Sequence, residues 1–203
     1  MTDPDLAHER ACGGRLVAGV DEVGRGPWAG PVVACAVILD RHAVPRGLDD
    51  SKRLTRPRRE VLDVEIRATA CIGLGVVTVE EIDRLNVLQA SLEAMRRAVA
   101  DLPVSPDHVL VDGNRLPRLV QPATAIVGGD GLSASIAAAS IVAKVARDRM
   151  MADLAREYPV YGWDHNAGYG TPEHRAALDR HGVCLHHRRS FAPIAALLAG
   201  AAR

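Results

Sequence analysis

The stretch Val20-Asp21-Glu22-Val23-Gly24-Arg25-Gly26-Pro27 constrains this chain more than any other. It closes an apolar run, Leu16-Val17-Ala18-Gly19-Val20, that reads as a buried strand bounded by a turn. Side chains alternate along a strand, so Asp21 and Glu22 leave opposite faces of the sheet and one of them must point inward. A charge on the inner side needs a partner, and a divalent metal is a common one. Gly24, Gly26 and Gly30, with Pro27 and Pro31, then let the backbone come close to a ligand. Carboxylates and exposed backbone at one sheet end imply metal-assisted work on a phosphate-containing substrate.

With 203 residues, 48% of them hydrophobic, the chain forms one domain with a sizeable core and room for a small appendage. Lys and Arg number 25, as do Asp and Glu, so the net charge is zero. That excludes a general nucleic-acid coating protein and leaves local basic patches. Two patches qualify, each equally readable as a solvated charged face: Lys52-Arg53-Leu54-Thr55-Arg56-Pro57-Arg58-Arg59 and His186-His187-Arg188-Arg189. The cysteines, Cys12, Cys35, Cys71 and Cys184, lack any C-x-x-C spacing, and Cys35 and Cys71 lie in apolar runs as buried thiols. A reduced, cytoplasmic chain fits, with no signal-peptide core and no span long enough for a bilayer. A zinc site around Cys184, His186 and His187 would need His174 or His181 as a fourth ligand, and the spacing matches no structural zinc pattern. That cluster is expected to pack the C-terminal segment or to touch backbone phosphate. His165 reads as an exposed loop histidine, with proton transfer near the site as the alternative.

The expected organisation is a loose segment over 1–14, a catalytic core over 15–157 and a C-terminal helical extension over 158–203. Within the core, 15–22 and 31–39 read as strands joined by the glycine turn, and 57–70 as a helix. Residues 71–79 make a third strand, and Thr78-Val79-Glu80-Glu81 reads as a capping box opening a helix whose apolar stripe runs Leu85, Leu88, Leu92, Met95, Val99. Strands follow at 108–113 and 123–127. A helix over 132–157 is crowded with alanine and serine, suited to tight packing on a sheet. Thr171-Pro172 opens a short helix, and another covers 191–200. Hairpin-linked strands followed by helix-separated ones predict a mixed α/β sheet with helices packed on it.

Three strand ends carry acids: Asp21-Glu22, Asp112 and Asp130. Gathered together they would repel, and some would stay protonated unless cations neutralised them. Magnesium or manganese fits oxygen donors of this kind, and a two-ion site suits in-line phosphoryl displacement. Taken singly, Asp112 and Asp130 are also ordinary Asp-Gly turn residues.

These residues carry a family resemblance. Asp21-Glu22-Val23-Gly24-Arg25-Gly26-Pro27, Asp50-Ser51-Lys52, Val111-Asp112-Gly113-Asn114, Gly129-Asp130, Ser133 to Ile141, Ala143-Lys144-Val145, Arg147-Asp148, Gly168-Tyr169 and His186 to Phe191 occur in the order found in bacterial ribonuclease HII, the type 2 ribonuclease H. The chain resembles that family from about Leu16 to Phe191. The resemblance implies a ribonuclease H-like mixed five-stranded sheet flanked by helices, with a helical C-terminal extension. It implies an endonuclease that hydrolyses RNA in RNA–DNA hybrids and nicks 5′ to ribonucleotides embedded in duplex DNA, leaving 3′-hydroxyl and 5′-phosphate ends. Asp21, Glu22, Asp112 and Asp130 match the family's metal-binding and catalytic acids, serving two Mn2+ or Mg2+ ions. Gly24-Arg25-Gly26 matches the segment that reads the 2′-hydroxyl, the group that separates RNA from DNA. Tyr169 matches the tyrosine that packs on the sugar at an RNA–DNA junction, and Lys52 is expected on a phosphate. A monomer without membrane contact is expected. Gly128 and Ala167 stand where relatives often carry lysine; arginines such as Arg115 would have to compensate. Competing readings are a ribonuclease H-like phosphoryl transferase indifferent to the 2′-hydroxyl and a non-catalytic nucleic-acid binder. The latter has no need to concentrate negative charge against phosphates.

Overall fold

The computed structural model describes residues 4–13 and 15–201. Five strands form one mixed sheet: β1 (Val17–Val23), β2 (Val32–Ile38), β3 (Cys71–Val77), β4 (His108–Asp112) and β5 (Ala123–Ile126), in the order β3-β2-β1-β4-β5. β1, β2 and β3 pair antiparallel, and β4 and β5 extend the sheet parallel to β1. Helix α1 spans Ala7–Ala11, α2 Arg56–Thr69, α3 Val79–Leu85, α4 Val87–Ala100 and α5 Ala134–Glu157. After the core come α6 (Trp163–Asn166), α7 (Pro172–His181) and α8 (Ala192–Ala201). The mixed sheet with flanking helices is the architecture expected from the sequence. Among the described residues, no helix is long and apolar enough to cross a membrane.

Strand alternation sorts the core into two layers. Cys35 and Val37 pack with Leu62 and Ile66 of α2 and the alanines of α5 on one face. Val20, Ala34, Ala36, Val109 and Val111 pack with Ile82, Ala90, Ala94 and Met95 on the other. Leu62 and Ile66 are fully buried, each adding about 1.5–3 kcal/mol by removal from water. The small residues have a geometric purpose. A Cβ at Gly19 would lie 2.2 Å from the Ser135 carbonyl carbon, and one at Gly75 would lie 2.0 Å from the Ala94 oxygen. Helices α5 and α4 therefore touch the sheet backbone itself, and Gly19→Ala would force α5 away from the strand that carries Asp21.

The structure corrects several expectations. Within the expected loose segment, residues 4–13 are tied down. Asp5 exchanges backbone hydrogen bonds with Leu132 and Ala134, and the buried Glu9 carboxylate accepts from Ser133 Oγ at 2.6 Å and from Ser135 N at 2.9 Å. Residues 1–3 and 14 lie outside the described residues. The apolar stripe from 79 to 99 is carried by two helices, because Asn86 adopts φ 68 and its side chain caps α4 by accepting from Leu88 N and Gln89 N. The capping box at Thr78 is present, with Glu81 reaching back to the Thr78 amide at 3.0 Å. Cys35 is buried but Cys71 is only half-buried, since β3 is an edge strand. The four cysteines are free thiols.

Candidate active site

β1 and β4 run parallel in a register that pairs Val20 with Val111, so the next residues, Asp21 and Asp112, leave adjacent strands at the same level and on the same face. Asp21 lies on the α5 face, as Gly19 does two residues earlier. Asp112 Oδ1 accepts from Gly129 N at 2.7 Å. That bond pins the 3-10 turn Gly129–Gly131 against the end of β4 and brings Asp130 to the same corner. Ser133 then caps α5 through Ile136 N. The loop before α2 supplies the fourth side: Ser51 N donates to Ser140 Oγ of α5 at 3.3 Å, and Lys52 N donates to Asp50 Oδ1 at 2.9 Å. The four expected acids thus collect at one sheet end, together with Asp50 and Lys52.

Electrostatics confirm the crowding. Burial, then the fields of Glu22 and Asp112, push Asp21 well above the usual carboxylate range. Burial raises Glu22 as well, with Arg25 opposing the rise. Asp130 is pushed up to about 6, by burial and then by Asp50 and Asp112. Lys52 responds in the opposite sense: burial alone would lower its ammonium, but Asp50, Asp130, Asp21 and Asp112 together raise it. Lys52 is exposed and stands in the field of the whole cluster. Asp50 is the member that sequence reasoning left without a role; its position one residue before Ser51-Lys52 was the available signal. Among the described residues no three carboxylates, imidazoles or thiols stand posed as a closed ligand set around one point. The donors are nevertheless hard oxygens whose mutual repulsion a divalent cation would relieve, and this chemistry fits magnesium or manganese.

Beside the acids, Arg25 Nη1 lies 3.2 Å from Glu22 Oε1. Glu22, Arg25, Asp112, Asn114 and Arg115 line a cleft of about 310 Å3. A larger groove of about 650 Å3 lies between Trp28, Leu178 and Leu197 and includes none of the acids. A substrate as wide as a duplex needs an open edge rather than an enclosed cavity, so the acid corner is the candidate site despite its smaller cleft. Gly26 faces Tyr169: a Cβ there would sit 3.2 Å from the ring. Trp28 N donates to Gly168 O at 2.8 Å, which ties the two loops together, and the Tyr169 ring is half exposed. Gly128 and Ala167 both take left-handed backbone, with φ 67 and 49, and Arg115 is exposed beside the cleft.

The basic patches fare differently from expectation. Arg53 pairs with Asp49 and Arg56 with Glu60, while Arg58 donates to Arg46 O and Arg59 to Ser51 O and Leu54 O. Lys52 is left as that patch's contribution to the site. In His186 to Arg189, His187 and Arg188 are fully buried and form no surface patch. His187 Nε2 lies 3.0 Å from His174 Nε2, and His187 Nδ1 accepts from Cys184 N at 3.1 Å. These groups bond one another and pack the C-terminal segment. Lys144 pairs with Asp148 along α5, and His165 bridges Asp164 and Glu173 at the surface.

Comparison with known proteins places this architecture. The structure superposes on the ribonuclease H2 of Pyrococcus horikoshii OT3 with a TM-score of 0.79 at 27% identity, covering 91% of this chain and 98% of that one. It superposes on Bst-RNase HIII, solved in complex with Mn2+, with a TM-score of 0.72 at 20% identity, covering 92% and 70%. The fold is that of the ribonuclease H endonucleases. A family model described as ribonuclease HII matches residues 18–194. Ribonuclease HII of Jannaschia sp. is 59% identical over 97% of this chain and 99% of its own length, and that of Paramagnetospirillum magneticum 60% over 95% and 97%. The chain belongs to the ribonuclease HII family and is an endonuclease acting on RNA–DNA hybrids.

Proposed function

We propose that this endonuclease nicks on the 5′ side of ribonucleotides, both in hybrids and singly embedded in duplex DNA, with Asp21, Glu22, Asp112 and Asp130 holding two divalent cations. The observation that carries the reading is the crowding of these carboxylates, with Asp21 driven toward its protonated form by burial first and then by its neighbours. Bound Mn2+ or Mg2+ would supply charge neutralisation and an activated water for in-line displacement, leaving 3′-hydroxyl and 5′-phosphate ends. The chain's own groups do the rest. Asp112 is oriented by the Gly129 amide. Lys52, exposed in the field of the acids, meets a phosphate oxygen. Arg25 holds Glu22 until substrate arrives. Gly24-Arg25-Gly26 offers backbone to the 2′-hydroxyl, and Tyr169, lying against Gly26, packs on the adjoining sugar.

A duplex with one ribonucleotide tests this. Nicking 5′ to that residue should need Mg2+ or Mn2+, stop with chelator, and be absent on all-DNA duplex. Cleavage of the all-DNA control at a comparable rate would sink the 2′-hydroxyl reading and favour a less selective phosphoryl transferase.

A further inference from the structure

Two arginines outside the acid corner are buried without a carboxylate partner. Arg147 on α5 is 1% exposed and Arg188 on the segment before α8 is 0% exposed. Among the described residues neither forms an ion pair. Together they donate eight hydrogen bonds to six main-chain carbonyls. Arg188 holds Gly24 O at 2.6 Å, Arg25 O at 3.0 Å, Gly30 O at 2.8 Å and Pro31 O at 3.2 Å. Arg147 holds Pro31 O at 3.0 Å, Ala29 O at 3.2 Å and Ala167 O at 3.1 Å. Burial lowers both guanidinium groups, Arg188 to about 9 and Arg147 to about 10, so each remains charged at neutral pH.

Peptide planarity turns this inventory into an orientation. In a trans peptide the N–H points opposite the C=O, and no cis bond occurs among the described residues. With the carbonyls of Gly24 and Arg25 turned inward onto Arg188, the N–H groups of Arg25 and Gly26 must turn outward. The same loop meets the acid corner through the Arg25–Glu22 pair and faces the Tyr169 ring at Gly26. No main-chain or side-chain acceptor engages either amide among the described residues. Arg147 adds a second constraint: it grips the loop and, through Ala167, the turn that carries Tyr169. A Cβ at Gly24 would lie 2.3 Å from Arg147 Nε, so the loop is seated directly on the guanidinium.

We propose that Arg188 and Arg147 are positioning residues for ribose recognition: they set the two free amides of the glycine loop, and the spacing between that loop and Tyr169, before substrate binds. The proposal rests on the functional reading above, in which the loop senses the 2′-hydroxyl.

The test is binding by fluorescence anisotropy in Ca2+, using two duplexes of one sequence, one all-DNA and one with a single ribonucleotide. Wild-type protein should prefer the second. Arg188→Lys keeps the charge but cannot span four carbonyls. It should retain its affinity for all-DNA duplex and its metal dependence, while the preference falls roughly tenfold. An unchanged preference in folded Arg188→Lys and Arg147→Lys overturns the proposal and leaves the functional reading standing. No preference in the wild type overturns both. If the variants do not fold, amide exchange of the wild type decides. Arg25 and Gly26 amides should exchange fast in the free protein and become protected only with the ribonucleotide duplex; slow exchange in the free protein overturns the proposal.

Discussion

The acid corner and the arginine-seated loop bury charge in opposite ways. At the corner, burial and then neighbouring carboxylates raise the proton affinity of Asp21, Glu22 and Asp130, and Arg25 and Lys52 answer them. At the loop, two buried cations have a full set of carbonyl acceptors. The first arrangement is under strain until cations arrive; the second is complete in the free protein. On the proposed function, strain and completeness would divide the labour, chemistry at the corner and recognition at the loop. The boundary falls between Glu22 and Gly24, within one strand end.

Substitutions at the two places should move stability in opposite directions. Asp21→Asn removes a donor of the proposed metal site and a charge that the fold resists. Cleavage in Mn2+ should fall by about 10²–10³-fold or more, while the metal-free thermal midpoint rises. Cleavage at the parent rate would show that Asp21 is no metal ligand; a lower midpoint would show that the corner is not strained. Arg188→Ala leaves the carbonyls of Gly24, Arg25 and Gly30 without their guanidinium donor, Pro31 O keeping Arg147, and should destabilise by about 3 kcal/mol in urea unfolding. A loss below about 1 kcal/mol would erase the contrast between the regions.

Acid sharpens the same comparison. Burial, and then the neighbouring His174, lower His187 to about 4, whereas an unfolded chain leaves a histidine near 6.5. The unfolded state thus takes up the proton first. The stability is fully present above about pH 6.5 and drains as pH falls toward 4, by at most about 3 kcal/mol. Urea midpoints at pH 7 and pH 5 should differ, and His187→Gln should flatten the difference. The same pH dependence in the parent and in His187→Gln would mean that the Cys184–His187–His174 chain opens without consequence.

The acids were legible because each sits where a strand pattern ends, and alternation alone placed Asp21 and Glu22 on opposite faces. Their assembly was not, since it depends on the Val20–Val111 register and on the Gly129 amide, both set across the chain. Arg188 was misread for a related reason. Within His186-His187-Arg188-Arg189 it has the local signature of a basic surface patch, and its acceptors lie more than 150 residues away. Glu9 likewise joins Ser133 and Ser135 over 124 and 126 residues. Asn86 escaped because the apolar spacing continues across it while one positive φ breaks the helix. Long-range partners and single dihedrals are what periodicity does not encode.

The smallest expected effect separates the two regions most cleanly. Tyr169 faces the loop at Gly26, and Ala167, the second residue of the turn that Tyr169 N closes on Asn166 O, is held by Arg147. Tyr169→Ala leaves the acids and both arginines in place and removes one half-exposed ring. Stacking of this kind is worth about 1–3 kcal/mol per contact, so the loss should be roughly 10-fold on a single-ribonucleotide duplex. A long hybrid offers many equivalent sites and should lose less. With the corner intact, the manganese dependence of the remaining activity should match the parent's. Equal losses on both substrates would remove the tyrosine from junction recognition. A shifted metal dependence would show that the loop and the corner are one coupled device rather than two.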